Sequence, residues 1–126
     1  VAEGETVKLI YVAGPYRGPT REAVELNIAT ARRVGLLVAK AGHAPVIPHA
    51  NTAGFEHVAH DLHDEFWLDA TMEMMRRCDA VVLCPGWEDS SGTRAEVEEA
   101  GKLGIPVYLS VTDMRAGMAL PGLGKA

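Results

Sequence analysis

The pentapeptide Gly14-Pro15-Tyr16-Arg17-Gly18 leaves a short apolar run and sets an arginine between two glycines. Glycines let a ligand approach the backbone closely, and a guanidinium forks onto phosphate or carboxylate oxygens. An anion site is one reading; a plain turn with a solvated Arg17 is the other. The spacing is neither GxGxxG nor GxxxxGK[ST], which disfavours an ordinary dinucleotide fold and a P-loop. A second group, Ser90-Ser91-Gly92-Thr93, precedes a predicted helix. Unpaired amides, the helix dipole and hydroxyl donors favour a negative ligand there. Thr93-Arg94-Ala95-Glu96 equally fits a capping box, with Glu96 folded back onto the backbone. The pattern puts Glu96 in the first turn of that helix, where the dipole keeps its carboxylate ionised near the ligand crevice of a parallel sheet.

Other chemistry-bearing residues read more blandly. His57, His60 and His63 recur every three residues, but without HExxH or any ligand set of known spacing they fit a polar covering segment better than a metal site. His49 directly follows a predicted strand and is expected to hang over the crevice, holding a sugar hydroxyl or phosphate or capping the strand end. Asp69 and Glu73 lie one turn apart on a predicted helix, as a solvated stripe would, and Asp79 is placed to close a helix–strand corner. Met72, Met74 and Met75, with Phe66 and Trp67, read as core filling.

The elements that must position these groups alternate. Lys8–Gly14 (KLIYVAG) is a buried parallel strand by its β-branched, aromatic and apolar content. Thr20 then caps a helix whose apolar residues recur at three and four, and Gly42 stops it. Ala44–Pro48 is a second strand, followed by a long polar connection and a helix over about Glu65 to Arg77. Asp79–Cys84 is a third strand, Thr93–Leu103 a helix and Pro106–Ser110 a fourth strand. Such alternation predicts an α/β fold, a flavodoxin-like or Rossmann-like parallel sheet of four to five strands with helices on both faces. Ligands in such sheets sit outside the carboxyl ends of the strands, where strand order reverses.

Composition narrows the function classes. With 126 residues, 48% of them hydrophobic, one domain over 1–126 is expected. The formal charge of -5, with no basic face, argues against a nucleic acid polymer as partner. No apolar run is long enough to span a bilayer, and the start VAEGETVK lacks the plan of a signal peptide, so no membrane partner and a cytoplasmic location are expected. Cys78 and Cys84 flank one strand at no zinc or redox spacing, as buried thiols would.

IYVAGPYRG, IPH and CDAVVLCPGWEDSSGTRAEVEEAGKLGIPV together resemble the nucleoside 2-deoxyribosyltransferase superfamily, including its nucleoside 5'-monophosphate N-glycosidases, from Leu9 to about Val107. The resemblance implies that Glu96, framed by Gly92 and Ala100, is a catalytic nucleophile, and that Gly14, Arg17, Gly18 and Ser90 hold a 5'-phosphate. Thr71 departs from the pattern, standing eight residues before Asp79 where the family carries an aspartate. Asp69 is then the first choice for the group that protonates or orients the departing base, and Tyr11 and His49 are expected to touch sugar or base.

The resemblance also implies no metal or cofactor, a small-molecule nucleotide or nucleoside as ligand, and a homodimer or larger ring, to which the tail MRAGMALPGLGKA could contribute. The expected activity is hydrolysis of an N-glycosidic bond. The alternatives are a 2-deoxyribosyltransferase, a non-catalytic nucleotide-binding module and, last, a histidine-based metal hydrolase.

Overall fold

A computed structural model describes residues 6–121, so the first five residues of the chain and the last five of its tail lie outside the described part. Four strands run parallel in the order β2-β1-β3-β4: β1 (Leu9–Ala13), β2 (Ala44–Val46), β3 (Ala80–Leu83) and β4 (Val107–Tyr108). The helices are α1 (Arg21–Lys40), α2 (Pro48–Asn51), α3 (Asp64–Arg76), α4 (Ser91–Leu103) and α5 (Val111–Ala116). This is the flavodoxin-like or Rossmann-like α/β class expected from the alternation of strand and helix.

Pleating divides the sheet residues between two cores. Tyr11 and Ala13 of β1, with Val81 and Leu83, face Met75 of α3 and Val97 and Ala100 of α4. Ile10 and Val12, with Ala80 and Val82, face the other way onto Ala31 and Val38 of α1 and Val111 of α5. Helices therefore cover both faces. Among the described residues no helix is long and apolar enough to cross a membrane.

Local chemistry sets the ends of these elements. Thr20 caps α1 by accepting from Ala23 N at 3.1 Å, and Gly42, at φ 94°, turns the chain out of it. Asp79 closes its corner by accepting from Leu9 N at 2.8 Å, which fixes where β1 begins. Cys78 and Cys84 are free and buried, and burial pushes both thiols up to about 11, so they are inert packing groups.

Three expectations need correction, and one element is added. The helix after the Trp87–Asp89 turn starts at Ser91 rather than Thr93, because Ser90 takes the cap. The long polar connection is partly helical, holding α2 and a 3₁₀ turn at Phe55–His57. Phe66 is about half exposed, at 47%, because it meets Trp67 edge-on at the surface instead of entering the core. The segment after β4 forms α5, capped by Ser110.

Sheet order reverses between β1 and β3, so the chain departs in opposite directions after Ala13 and Leu83. Gly14 and Cys84 meet at this divergence: a Cβ on Gly14 would lie 2.5 Å from Cys84 Cβ and 2.8 Å from its Sγ. Gly14→Ala is therefore expected to destabilise the protein by about 1–3 kcal/mol in urea unfolding, through overpacking of the two strand ends. Truncating Cys84 to alanine should not rescue it, since the clashing Cβ remains.

Candidate active site

A cleft of about 300 Å³ opens between α3 and α4, above the face of the sheet that carries Tyr11. From α3 it is lined by Leu68, Asp69, Thr71, Met72 and Arg76; from α4, by Ser91, Gly92, Ala95 and Glu96. Helical periodicity accounts for both walls. Leu68, Met72 and Arg76 recur at every fourth residue, and Gly92, Ala95 and Glu96 at three and four.

Glu96 is the most unusual group in the cleft, for it is a carboxyl only 8% exposed. It makes no capping box. The Ser90 Oγ accepts from Thr93 N at 3.2 Å and from the Thr93 hydroxyl at 2.9 Å, so the helix begins earlier and Glu96 falls in its second turn, facing the sheet. There the buried Tyr11 hydroxyl donates to Glu96 Oε2. Burial pushes the Glu96 pKa up to about 7, against the pull of the Tyr11 and Thr71 hydroxyls toward the ionised form. The expectation of a fully ionised, dipole-held carboxylate is thus corrected: desolvation outweighs the dipole one turn further along the helix. Burial, then the adjacent Glu96, raise Tyr11 far above the ordinary phenol range, so its proton stays in place to be donated.

Thr71, which stands where the resemblance calls for an aspartate, lines the cleft beside Glu96. It donates to Leu68 O at 3.2 Å, and its hydroxyl lowers the pKa of both Tyr11 and Glu96. Tyr11, Thr71 and Glu96 come from β1, α3 and α4, so only the tertiary fold brings them together. Asp69 lines the same cleft but is exposed on α3.

The remaining predicted residues form a neighbouring assembly rather than part of the cleft wall. Gly14–Gly18 makes a loop whose carbonyls at Tyr16 and Arg17 accept from Asn27 Nδ2 at 3.0 and 3.2 Å, a contact that no local signal in the sequence marks. Gly18 is packed so closely that a Cβ there would lie 2.6 Å from Ala23 Cβ. Arg17 is exposed and ion-paired with Asp64 at the start of α3, while Tyr16 donates to Glu56 at 2.7 Å. The loop is thereby tied to the covering segment.

His49 does not hang over an open crevice. It is 5% exposed, and its Nε2–H donates to Gly14 O at 2.8 Å and Pro15 O at 3.1 Å. Burial lowers its pKa, so the ring is neutral, with the proton on Nε2 and the buried Nδ1 unpartnered. His57, His60 and His63 are exposed, and among the described residues no group of three or more His, Cys, Asp or Glu is arranged to hold a metal ion.

Chemically, the cleft offers a buried carboxyl poised by its surroundings. A carboxylate drawn out of water and aimed by one phenol donor is more basic than its exposed counterpart and gains its charge nearer neutral pH. Tyr11→Phe removes that donor. The Glu96 titration is expected to move further up in pH, because a hydrogen bond to the charged form is lost while the burial stays. At pH 7 this should lower any Glu96-dependent rate roughly tenfold, with recovery toward pH 9, as read from a pH–rate profile.

Residues 8–110 match the model of a family described as Domain of unknown function (DUF7768). No curated protein matches the chain.

Proposed function

The chain belongs to the DUF7768 family, and we propose that it cleaves the N-glycosidic bond of a nucleoside 5'-monophosphate by hydrolysis, with Glu96 as nucleophile. The observation that carries this reading is the buried Glu96 carboxyl in the cleft wall, aimed by the Tyr11 hydroxyl. The similarity of the first loop and of the third-strand and last-helix segment to the nucleoside 2-deoxyribosyltransferase superfamily supports the same assignment.

The carbon that bears the base becomes oxocarbenium-like as its bond to nitrogen breaks, and a carboxylate beneath the sugar stabilises it or bonds to it. In the proposed cycle the ionised Glu96 forms an ester to C1' while the bonding pair leaves with the base. Water then attacks C1', its hydroxyl going to the sugar phosphate and its proton to the departed base, and Glu96 is restored as carboxylate. Asp69, across the cleft, orients the departing base. Arg17, Ser90 and the amides around Gly92 hold the 5'-phosphate, and that remote binding energy positions the sugar. For Arg17 this requires exchange of the Asp64 carboxylate for a phosphate oxygen, which suits a pair so exposed that water already weakens it.

The test is chromatographic detection of free base from a panel of ribo- and deoxyribonucleoside 5'-monophosphates and the matching nucleosides, with and without an acceptor base. Release that needs the 5'-phosphate but no acceptor base supports the hydrolase. Release only with an acceptor base would reassign the protein as a transferase. Tight nucleotide binding with no release at all would make it a binding module.

A further inference from the structure

Breaking a glycosidic bond leaves a pair of electrons on the base, and a neutral purine or pyrimidine accepts that pair readily only if an acid protonates it as it departs. The cleft is poor in such acids. Among the described residues no histidine, cysteine or lysine lines it. Its titratable lining groups are Glu96, Asp69 and Arg76. Glu96 is occupied beneath the sugar, and Asp69 lies exposed to solvent on α3. Arg76 is engaged by Glu99 at 3.0 Å and Glu73 at 3.3 Å. The Tyr11 proton lies behind Glu96 and is donated to it, and the Thr71 hydroxyl is turned to Leu68 O.

The same lining suits a different leaving group. Leu68, Met72 and Ala95 offer apolar surface for the faces of a ring, and Asp69 and Glu96 add two carboxylates. Among the described residues the one cation on the wall is Arg76, which is matched by Glu99 and by Glu73, a carboxylate it shares with Arg77, so the two lining carboxylates leave the field in the cleft negative.

We infer that the preferred substrates are nucleotides whose base is a fixed cation at the N-heterocycle, of the pyridinium or N7-alkylpurinium kind. This rests on the glycosidase reading above. Here the chemistry balances without an acid. The C1'–N pair moves onto the positive nitrogen, the base leaves as a neutral molecule, and Glu96 takes C1'. Water then supplies hydroxyl to C1' and one proton to solution. Asp69 acts in this scheme as a counter-charge that positions the cationic ring.

The experiment compares kcat/KM for nicotinamide mononucleotide with that for its reduced 1,4-dihydro form, which has nearly the same shape and no ring cation. 7-Methylguanosine 5'-monophosphate is compared with GMP in parallel. The expected result is a preference of about 10²–10⁴-fold for each cation over its neutral counterpart, the range that acid assistance would otherwise supply. With nicotinamide mononucleotide, kcat/KM should rise through the Glu96 titration and stay level to pH 9, because no acid has to remain protonated. Release of neutral bases at comparable rates, or a fall above pH 8 that disappears in Asp69→Asn, would overturn this inference and leave the glycosidase intact. No release from any of the four would overturn this inference, and the wider panel of ribo- and deoxyribonucleoside 5'-monophosphates then decides the glycosidase reading separately.

Discussion

Glu96→Ala is expected to lower kcat for base release by at least about three orders of magnitude, with little change in nucleotide affinity. The asymmetry follows from where the residue sits. Binding of the nucleotide is assigned to the loop at Gly14–Gly18, to Ser90 and to the cleft walls, whereas Glu96 contributes chiefly once positive charge develops at C1'. Glu96→Gln keeps the size of the side chain and an oxygen that can accept from Tyr11, but its amide is neither nucleophile nor counter-charge. It should be as inactive as alanine. Single-turnover base release and nucleotide binding by calorimetry, measured on both variants beside the parent, separate the two effects. Variants that bind normally and do not turn over place Glu96 at the reacting carbon. Variants that retain more than a tenth of the activity would remove it from the mechanism.

The fold was legible where the physics is local. β1 and β3 announce themselves as apolar, β-branched runs because both faces of a central parallel strand are covered. The Thr20 cap and the Gly42 exit of α1 are likewise decided within a few residues. Legibility failed where two local signals compete or where the partner is remote. Ser90 and Thr93 can each cap a helix, and the Trp87–Asp89 turn settles the matter by leaving Ser90 in the extended conformation that a cap requires. That three-residue difference turns Glu96 from a surface capping residue into a buried site residue. The inward turn of His49 depends on carbonyls 34 and 35 residues away, and the ion pair of Arg17 on a carboxylate 47 residues away. No spacing rule reaches so far. α5 went unread because it has only six residues, of which Val111 alone is buried.

Glu96→Gln should also make the protein more stable, and only at neutral and alkaline pH. In the unfolded chain the Glu96 carboxyl titrates near its ordinary 4.5, and in the folded protein near 7. Between those values the folded state keeps a proton that the unfolded state has released, so stability falls as pH rises from 4.5 to 7 and is level beyond. The groups facing Glu96 are the Tyr11 hydroxyl from β1 and, from α3, Thr71 with Asp69 and Arg76 along the cleft; none of them is a free cation that could offset the buried charge. The full penalty is about 3 kcal/mol at pH 8, and glutamine removes it while still accepting from Tyr11. Thermal unfolding should therefore show Glu96→Gln melting roughly 10 °C above the parent at pH 8 and close to it at pH 4.5. A constant difference at both pH values would mean that packing, not ionisation, separates the two proteins. A variant less stable at pH 8 would mean that the carboxylate is better solvated than its burial indicates. The expected pattern needs no substrate to be observed, and it measures what the fold gives up to hold a charge at this site, independently of any activity assigned to it.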